Sequence, residues 1–284
     1  MSGSLHFEAP TALEYFAALV ADDATLPVLE AAVAVAQDEV PDLDVQGVLA
    51  QIDRLADRLC RRIPADAAPL QRLRLLNRYF FQELGFAGNV NDYYDPRNSY
   101  LPDVLETRRG IPLTLALLYI ELATQAGLQA QGVSFPGHFL VKLRLPRGEV
   151  IIDPFDGQSL SREALDERLQ PLREQRGLVG DDEAPLGLFL QPAPARDVVA
   201  RLLHNLREIH RNAGAIDRLA AVQQRLVILL PEAWDERRDL ALALAELGRH
   251  AQAAEELAVY LRQRPSASDA ASLRHRLASW RRLQ

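Results

Sequence analysis

The stretch Arg108-Arg109-Gly110-Ile111-Pro112-Leu113-Thr114-Leu115-Ala116-Leu117-Leu118 decides how the rest of the chain is read. A glycine-led turn runs into a segment whose apolar residues, Ile111, Leu113, Leu115, Ala116, Leu117, Leu118, Ile120 and Leu122, leave no polar side before Gly127 ends it. A helix that is apolar all round is a central, buried one. Downstream, His138 opens a segment of strand character and Asp153 closes the next. A turn opening a buried helix, then a His, then an Asp is the layout of a thiol enzyme. The helix dipole and the His favour the thiolate, the His moves the proton, and the Asp orients the ring. Here the place of the thiol is taken by Pro112. Proline has no nucleophile, and it is favoured at the first helical position because its missing N–H is not needed there. The chain reads as an enzyme scaffold that has lost, moved or replaced its nucleophile.

Substitutes for the thiol are poor. Thr114 lies in the first turn of the helix and Ser99 in the loop before it, but both hydroxyls have a simpler use as caps or local hydrogen bonds. Phe139, Val141, Leu143 and Leu145 alternate with His138, Leu140, Lys142 and Arg144, which predicts a strand carrying His138 on its polar face. Pro146-Arg147-Gly148 makes a turn, and Glu149 to Asp153 returns as a second strand; Gln131 to Ser134 is a third, short one. In a simple hairpin Val141 or Lys142 opposes Asp153, several residues from His138, so the candidate dyad His138–Asp153 closes only through strong twist or a bulge. No His/Cys cluster has metal-ligand spacing, His204 and His210 are too far apart for a helical i, i+4 pair, and no glycine loop is built to cradle phosphate. No metal and no cofactor is expected.

Upstream, residues 10 to 85 read as helical. Val28 to Ala36, after Pro27, reads as a buried helix. From Asp44 to Ile63, the residues Val48, Ile52, Leu55, Leu59 and Ile63 form one apolar stripe, with Cys60 at its edge as a core residue rather than a nucleophile. Leu70 to Leu84 forms a further amphipathic helix ended by Gly85. Residues 86 to 109 form a long polar loop with short helical pieces, whose Asn, Asp and Ser residues satisfy its backbone locally. After the strands, Ser161 caps a helix from about Arg162 to Gln170, before Pro171, and the Gly-, Pro- and Asp-rich residues 177–194 form a linker. Beyond it Pro231 and Pro265, Leu206 and Leu240, Gly214 and Gly248, and Ala220 and Ala254 are each 34 residues apart. That period of paired helices is the tetratricopeptide signature. About two repeats and a final helix with Trp280 make an array too short to stand well alone, so it is expected to pack against the first domain.

The 284 residues leave room for two domains, and 48% hydrophobic with 25% charged residues is ordinary for a globular protein. No apolar run is long enough for a membrane span, and the N-terminus lacks a secretory pattern. Cys60 is the single cysteine, which favours a cytoplasmic location, and the net charge of −7 argues against a nucleic-acid partner. Lys142 is the only lysine, a mark of genome composition rather than function.

Asn91-x-Tyr93-Tyr94-Asp95-Pro96-x-Asn98-Ser99-x-Leu101, then Val104-Leu105-x-x-Arg108-Arg109-Gly110-Ile111-Pro112, then Phe135-Pro136-Gly137-His138-Phe139, resemble the bacterial SirB family, and a similar segment occurs in some eukaryotic F-box proteins. The resemblance covers most of the chain. It implies an α+β fold: a papain/transglutaminase-like domain with a helical N-terminal part and a small antiparallel sheet, then an all-α tetratricopeptide-like tail. The expected boundaries are 1–180, helical over 10–85 with its core over 86–175, and 195–284. Against the catalytic pattern Gly110, Ala116, His138 and Asp153 match, and Pro112 replaces the cysteine. The expected function is non-catalytic binding of a protein or peptide in a cleft lined by Tyr93, Tyr94, Asp95, Asn98 and His138. The alternative is a hydrolase or acyl transferase that uses the remnant dyad His138–Asp153 with water or a hydroxyl.

Overall fold

The computed structural model describes residues 10–176 and 185–283. Helices α1 (Ala12–Leu19), α2 (Val28–Ala34), α3 (Val45–Cys60) and α4 (Pro69–Asn77) come first. They are followed by strand β1 (Ala87–Gly88), α5 (Leu101–Thr107), β2 (Arg109–Gly110) and α6 (Pro112–Gln125). Strands β3 (Gln129–Val133), β4 (Leu140–Leu145), β5 (Gly148–Ile152) and β6 (Ser159–Leu160) lead to α7 (Arg162–Gln175) and the single turn α8 (Leu186–Phe189). The rest is helical: α9 (Ala195–Ala213), α10 (Ile216–Leu229), α11 (Trp234–Glu246), α12 (His250–Gln263) and α13 (Ala270–Trp280).

The chain divides into two compact units. One holds residues 28–33 and 44–202; the other holds 1–27, 34–43 and 203–284. This differs from the boundaries expected from sequence, which assign the whole N-terminal region to the first domain. Of the expected linker, residues 177–184 lie outside the described residues, and α8 falls in the remainder.

In the first unit α6 is the centre. Ten of its 14 residues are buried, as its uniform apolarity predicts, and it packs on α3, α4, α5, β3 and β4. Asp44 caps α3 by accepting from the Gly47 N–H at 2.9 Å, and Val48, Ile52, Leu55 and Leu59 are buried along its stripe. Cys60 is half-buried with Sγ 3.3 Å from the Gln125 carbonyl, and burial pushes its thiol pKa up. The predicted helix over 70–84 changes form midway: α4 gives way to a π-helix over 78–83, in which the Leu84 N–H donates to the Tyr79 carbonyl five residues back. The wider turn sets Phe80 against Phe86, with ring centroids 4.6 Å apart, and Gly85 leaves the helix at φ +73°.

The antiparallel sheet has the order β3-β4-β5-β6. One face, with Val133, Phe135, Leu140 and Ile151, meets Leu165 and Leu169 of α7 and Leu186 of α8. Ser161 caps α7 as expected, accepting from the Ala164 N–H at 3.2 Å. The helix does not stop before Pro171 but runs through it to Gln175. Buried Leu165 and Leu169 anchor it to the sheet, and that packing outweighs the one backbone bond a proline removes.

The second unit carries the repeats. α10 and α12 begin 34 residues apart, and Gly214 and Gly248 precede them at φ +67° and +73°. Leu240, Leu244, Ala253, Leu257, Tyr260, Leu273 and Trp280 share one core. The chain's own N-terminus completes this unit, because α1 packs on α10. Arg225 is fully buried, with its guanidinium 4.9 Å from the Phe16 ring centroid and two bonds of 2.8 Å to Asp38.

Candidate functional site

The site forms where the sheet hairpin meets the loop before α6. The ladder pairs Val141 with Ile152 and Lys142 with Ile151 without interruption to Leu145 opposite Gly148. Asp153 therefore falls one step beyond the ladder, level with Leu140 rather than with Val141 or Lys142. His138 is not on the polar face of β4 either. It lies in a bend just ahead of the strand, where the turn Pro136-Gly137, with Gly137 at φ +69°, lets the His138 N–H donate to the Phe135 carbonyl at 3.0 Å. The two shifts remove the need for a bulge, and the side chains meet with His138 Nε2 2.7 Å from Asp153 Oδ1.

Asp153 is 2% exposed. Its Oδ1 also accepts from the Phe155 N–H at 3.0 Å, and its Oδ2 accepts from Arg168 Nη1 of α7 at 2.8 Å. Burial pushes the carboxyl pKa up, but the bonds from His138 and Arg168, with the His138 charge and the Phe155 amide, outweigh it and hold the group below its ordinary value. An ionised carboxylate can only accept, so Nε2 must carry the proton that it shares with Oδ1. When the ring is neutral, the lone pair is then on Nδ1, which makes no bond among the described residues.

Pro112 is the first residue of α6 and is buried. Gly110, two residues earlier, pairs with Gly88 in the short parallel ladder β1-β2. Gly88 lies against the Phe155 ring and donates its N–H to the Phe155 carbonyl at 2.7 Å; a Cβ there would fall inside the ring's van der Waals envelope. Phe155 in turn has its ring 6.3 Å from that of His138. Through Gly88 and Phe155 the start of α6 is joined to the dyad. Neither hydroxyl near Pro112 serves the imidazole. Thr114 Oγ1 donates within reach of the Asn98 carbonyl at 2.7 Å and the Ile111 carbonyl at 3.1 Å, and Ser99 Oγ is sealed from solvent and meets no partner among the described residues.

The loop residues divide into two groups. Tyr93, 42% exposed, has its ring 6.0 Å from Phe155, and Tyr94, 74% exposed, stands edge-on to Tyr93 at 5.3 Å. Tyr94, Tyr93, Phe155 and His138 thus form an aromatic ridge. Asp95 and Asn98 are occupied in holding the loop. Asp95 caps the 3₁₀ turn over 96–99 through the Arg97 N–H at 3.0 Å and pairs with the Arg97 guanidinium at 2.7 Å. Asn98, only 3% exposed, donates to the Asp92 and Tyr93 carbonyls at 2.7 and 3.2 Å and accepts from Asn89 at 3.0 Å, so its side chain is buried within the loop rather than lining an open surface. Sequence reasoning missed Phe155, Gly88 and Arg168. Asp153-Pro154-Phe155 is visible as a strand end, but nothing local marks Arg168, fifteen residues further on. Among the described residues no group of three His, Cys, Asp or Glu side chains is placed to hold a metal ion, and no helix is long and apolar enough to cross a membrane.

The family model of the transglutaminase-like superfamily matches residues 46–204. The chain belongs to that superfamily. A tetratricopeptide-repeat model matches residues 206–278, so the architecture is a transglutaminase-like part followed by repeats. The chain also belongs to the UPF0162 family. It is 40% identical over 246 residues to a UPF0162 protein of Xylella fastidiosa, covering 86% of each chain, and 32% identical over 204 residues to one of Pseudomonas aeruginosa, covering 71% and 72%. It is also similar to human F-box only protein 21, 29% identical over 150 residues, or 45% of this chain and 24% of that one. No solved structure matches the chain.

Proposed function

We propose that this transglutaminase-like protein, a bacterial SirB-type member of its family, is a non-catalytic scaffold. On this reading the ridge of Tyr94, Tyr93, Phe155 and His138 takes a peptide segment of a protein partner, and the repeats offer a second surface. One observation carries the reading: the helix position that a thiol mechanism needs is filled by buried Pro112, while Thr114 is bonded elsewhere and Ser99 makes no bond to His138. Exposed tyrosines suit such a surface, because they bring large contact area at low cost in conformational entropy. The net charge of −7 favours a peptide over a nucleic acid, and the single cysteine favours a cytoplasmic setting.

A second reading, a hydrolase or acyl transferase, is favoured by the 2.7 Å contact of His138 with Asp153 and by the unbonded Nδ1. One experiment separates them. The full-length protein is screened against an array of random peptides and, in parallel, against peptide, amide and ester substrates. The scaffold reading expects array binding that Tyr93→Ala with Tyr94→Ala reduces about tenfold, and no turnover. Turnover that disappears in His138→Ala overturns it and establishes the second reading.

A further inference from the structure

The arginines around the site are nearly all accounted for. Arg168 pairs with Asp153 and Arg97 with Asp95. Arg201, on α9 within the same unit, is different. It is half-buried and forms no ion pair among the described residues. Its bonds come from Nη1 alone, to Ser134 Oγ at 2.7 Å and to the Phe135 carbonyl at 3.2 Å. Those acceptors sit on the segment Ser134-Phe135-Pro136-Gly137 that delivers His138. The guanidinium carbon lies 5.6 Å from the Phe139 ring centroid, and Tyr93 is close enough to interact with it electrostatically. A half-buried guanidinium normally has a carboxylate beside it, because taking a charge out of water is costly unless it is paired. Burial pulls its pKa below the ordinary value, with Tyr93 partly offsetting that. The Nε and Nη2 donors carry no bond among the described residues, and an arginine presents its donors as a planar fork matched to a carboxylate.

The charges nearby point the same way. The negative charge of Asp153 is matched by Arg168, so the dyad with its anchor is neutral when the His138 ring is neutral, and among these four described residues Arg201 adds one positive charge. We infer that Arg201 is the carboxylate-recognising residue of this site: it pairs with an acidic side chain or a free C-terminus of the peptide whose neighbouring residues lie on Tyr93 and Phe155. The inference rests on the peptide-binding reading above. The desolvating contact with Phe139 strengthens such a pair relative to one at an open surface.

The test uses full-length protein and three matched sets of random acetylated peptides. One set has an internal Glu and an amidated C-terminus, one has Gln in its place with a free C-terminus, and one has Gln with an amide. Each is measured against the wild type, Arg201→Gln and Arg201→Lys. At least one carboxylate set is expected to bind about tenfold more tightly than the neutral set, and which one does so identifies the source of the carboxylate. Arg201→Gln should remove that preference, with circular dichroism and thermal melting matching the wild type to show that the variant is folded; Arg201→Lys should restore part of it. Equal binding by all three sets, or a preference that survives in Arg201→Gln, overturns the inference but leaves the peptide-binding reading standing. Binding of no set at all overturns both.

Discussion

Replacing Asp153 with Asn tests whether the dyad is held by charge or only by shape. The two side chains are isosteric. If the amide oxygen keeps the place of Oδ1, the bonds to His138 Nε2 and the Phe155 N–H persist as neutral bonds, and the amide NH₂ then faces Arg168 Nη1, donor against donor. A bond to a charged group is worth about 1.5–3 kcal/mol and a neutral one about 0.5–1.5, so weakening the His138 bond costs about 1 kcal/mol. The Arg168 side chain is 37% exposed and can turn to water, which limits that loss to about 1 kcal/mol. The total is about 2 kcal/mol, below the roughly 3–5 of a fully buried broken pair. The assay must report on the right unit. Both tryptophans, Trp234 and Trp280, lie among the repeats, so hydrogen exchange of peptides covering residues 148–175 is the proper probe. The folded Asp153 carboxyl lies below its ordinary value. Its contribution is therefore fully present above the unfolded pKa near 4 and is lost as the pH falls through the folded value. The Asn penalty should shrink as the pH falls below about 4. A penalty under about 0.5 kcal/mol, or one unchanged in acid, refutes the electrostatic account.

Gly88→Ala forces the Phe155 ring aside and should cost about 1–3 kcal/mol in the first unit, with loss of peptide binding, while tryptophan-monitored melting of the repeats stays unchanged. Gly214→Ala and Gly248→Ala meet no atom within 4 Å, so their cost is the left-handed backbone alone, about 1 kcal/mol each and additive in thermal melts. Glu236 is pushed up by burial, but bonds from His204 and Gln223 and the charge of Arg207 bring its pKa down to about 2. Its stabilisation of the repeats is complete above the ordinary Glu range and fades as the pH falls toward 2, so Glu236→Gln should cost about 2–3 kcal/mol at neutral pH and little in acid, read by tryptophan fluorescence.

What the sequence made legible is what repeats or alternates locally. The 34-residue spacing of Gly214 and Gly248 gave the repeats because each glycine ends one helix and opens the next at positive φ. The uniform apolarity after Pro112 marked the central helix because a side chain on every face of α6 meets another element. What stayed hidden depends on residues far apart in the chain. Asp38 and Arg225 are separated by 187 positions, and no local pattern announces that the N-terminal helix joins the repeats. Residues 86–109 read as polar loop, yet Gly88 and Gly110 pair as parallel strands, which requires both ends of that loop at once.

The site follows the same division, and the division bears on its function. The order Gly110, Pro112, His138, Asp153 could be read, but the hairpin register that makes the dyad could not, because sliding the pairing by one residue leaves the alternation of β4 plausible while moving Asp153 past its partner. Arg168 and Arg201 escaped for a further reason: both lie on helices whose sequence faces serve packing, and only the folded sheet brings one to Asp153 and the other to the Phe135 carbonyl. The two arginines do opposite things with their charge. Arg168 cancels the carboxylate that orients His138, whereas Arg201, one short segment away, has no ion-pair partner among the described residues. On the carboxylate inference, that cation is what a negative group of a bound peptide would meet, whether the imidazole beside it moves a proton or only makes contact.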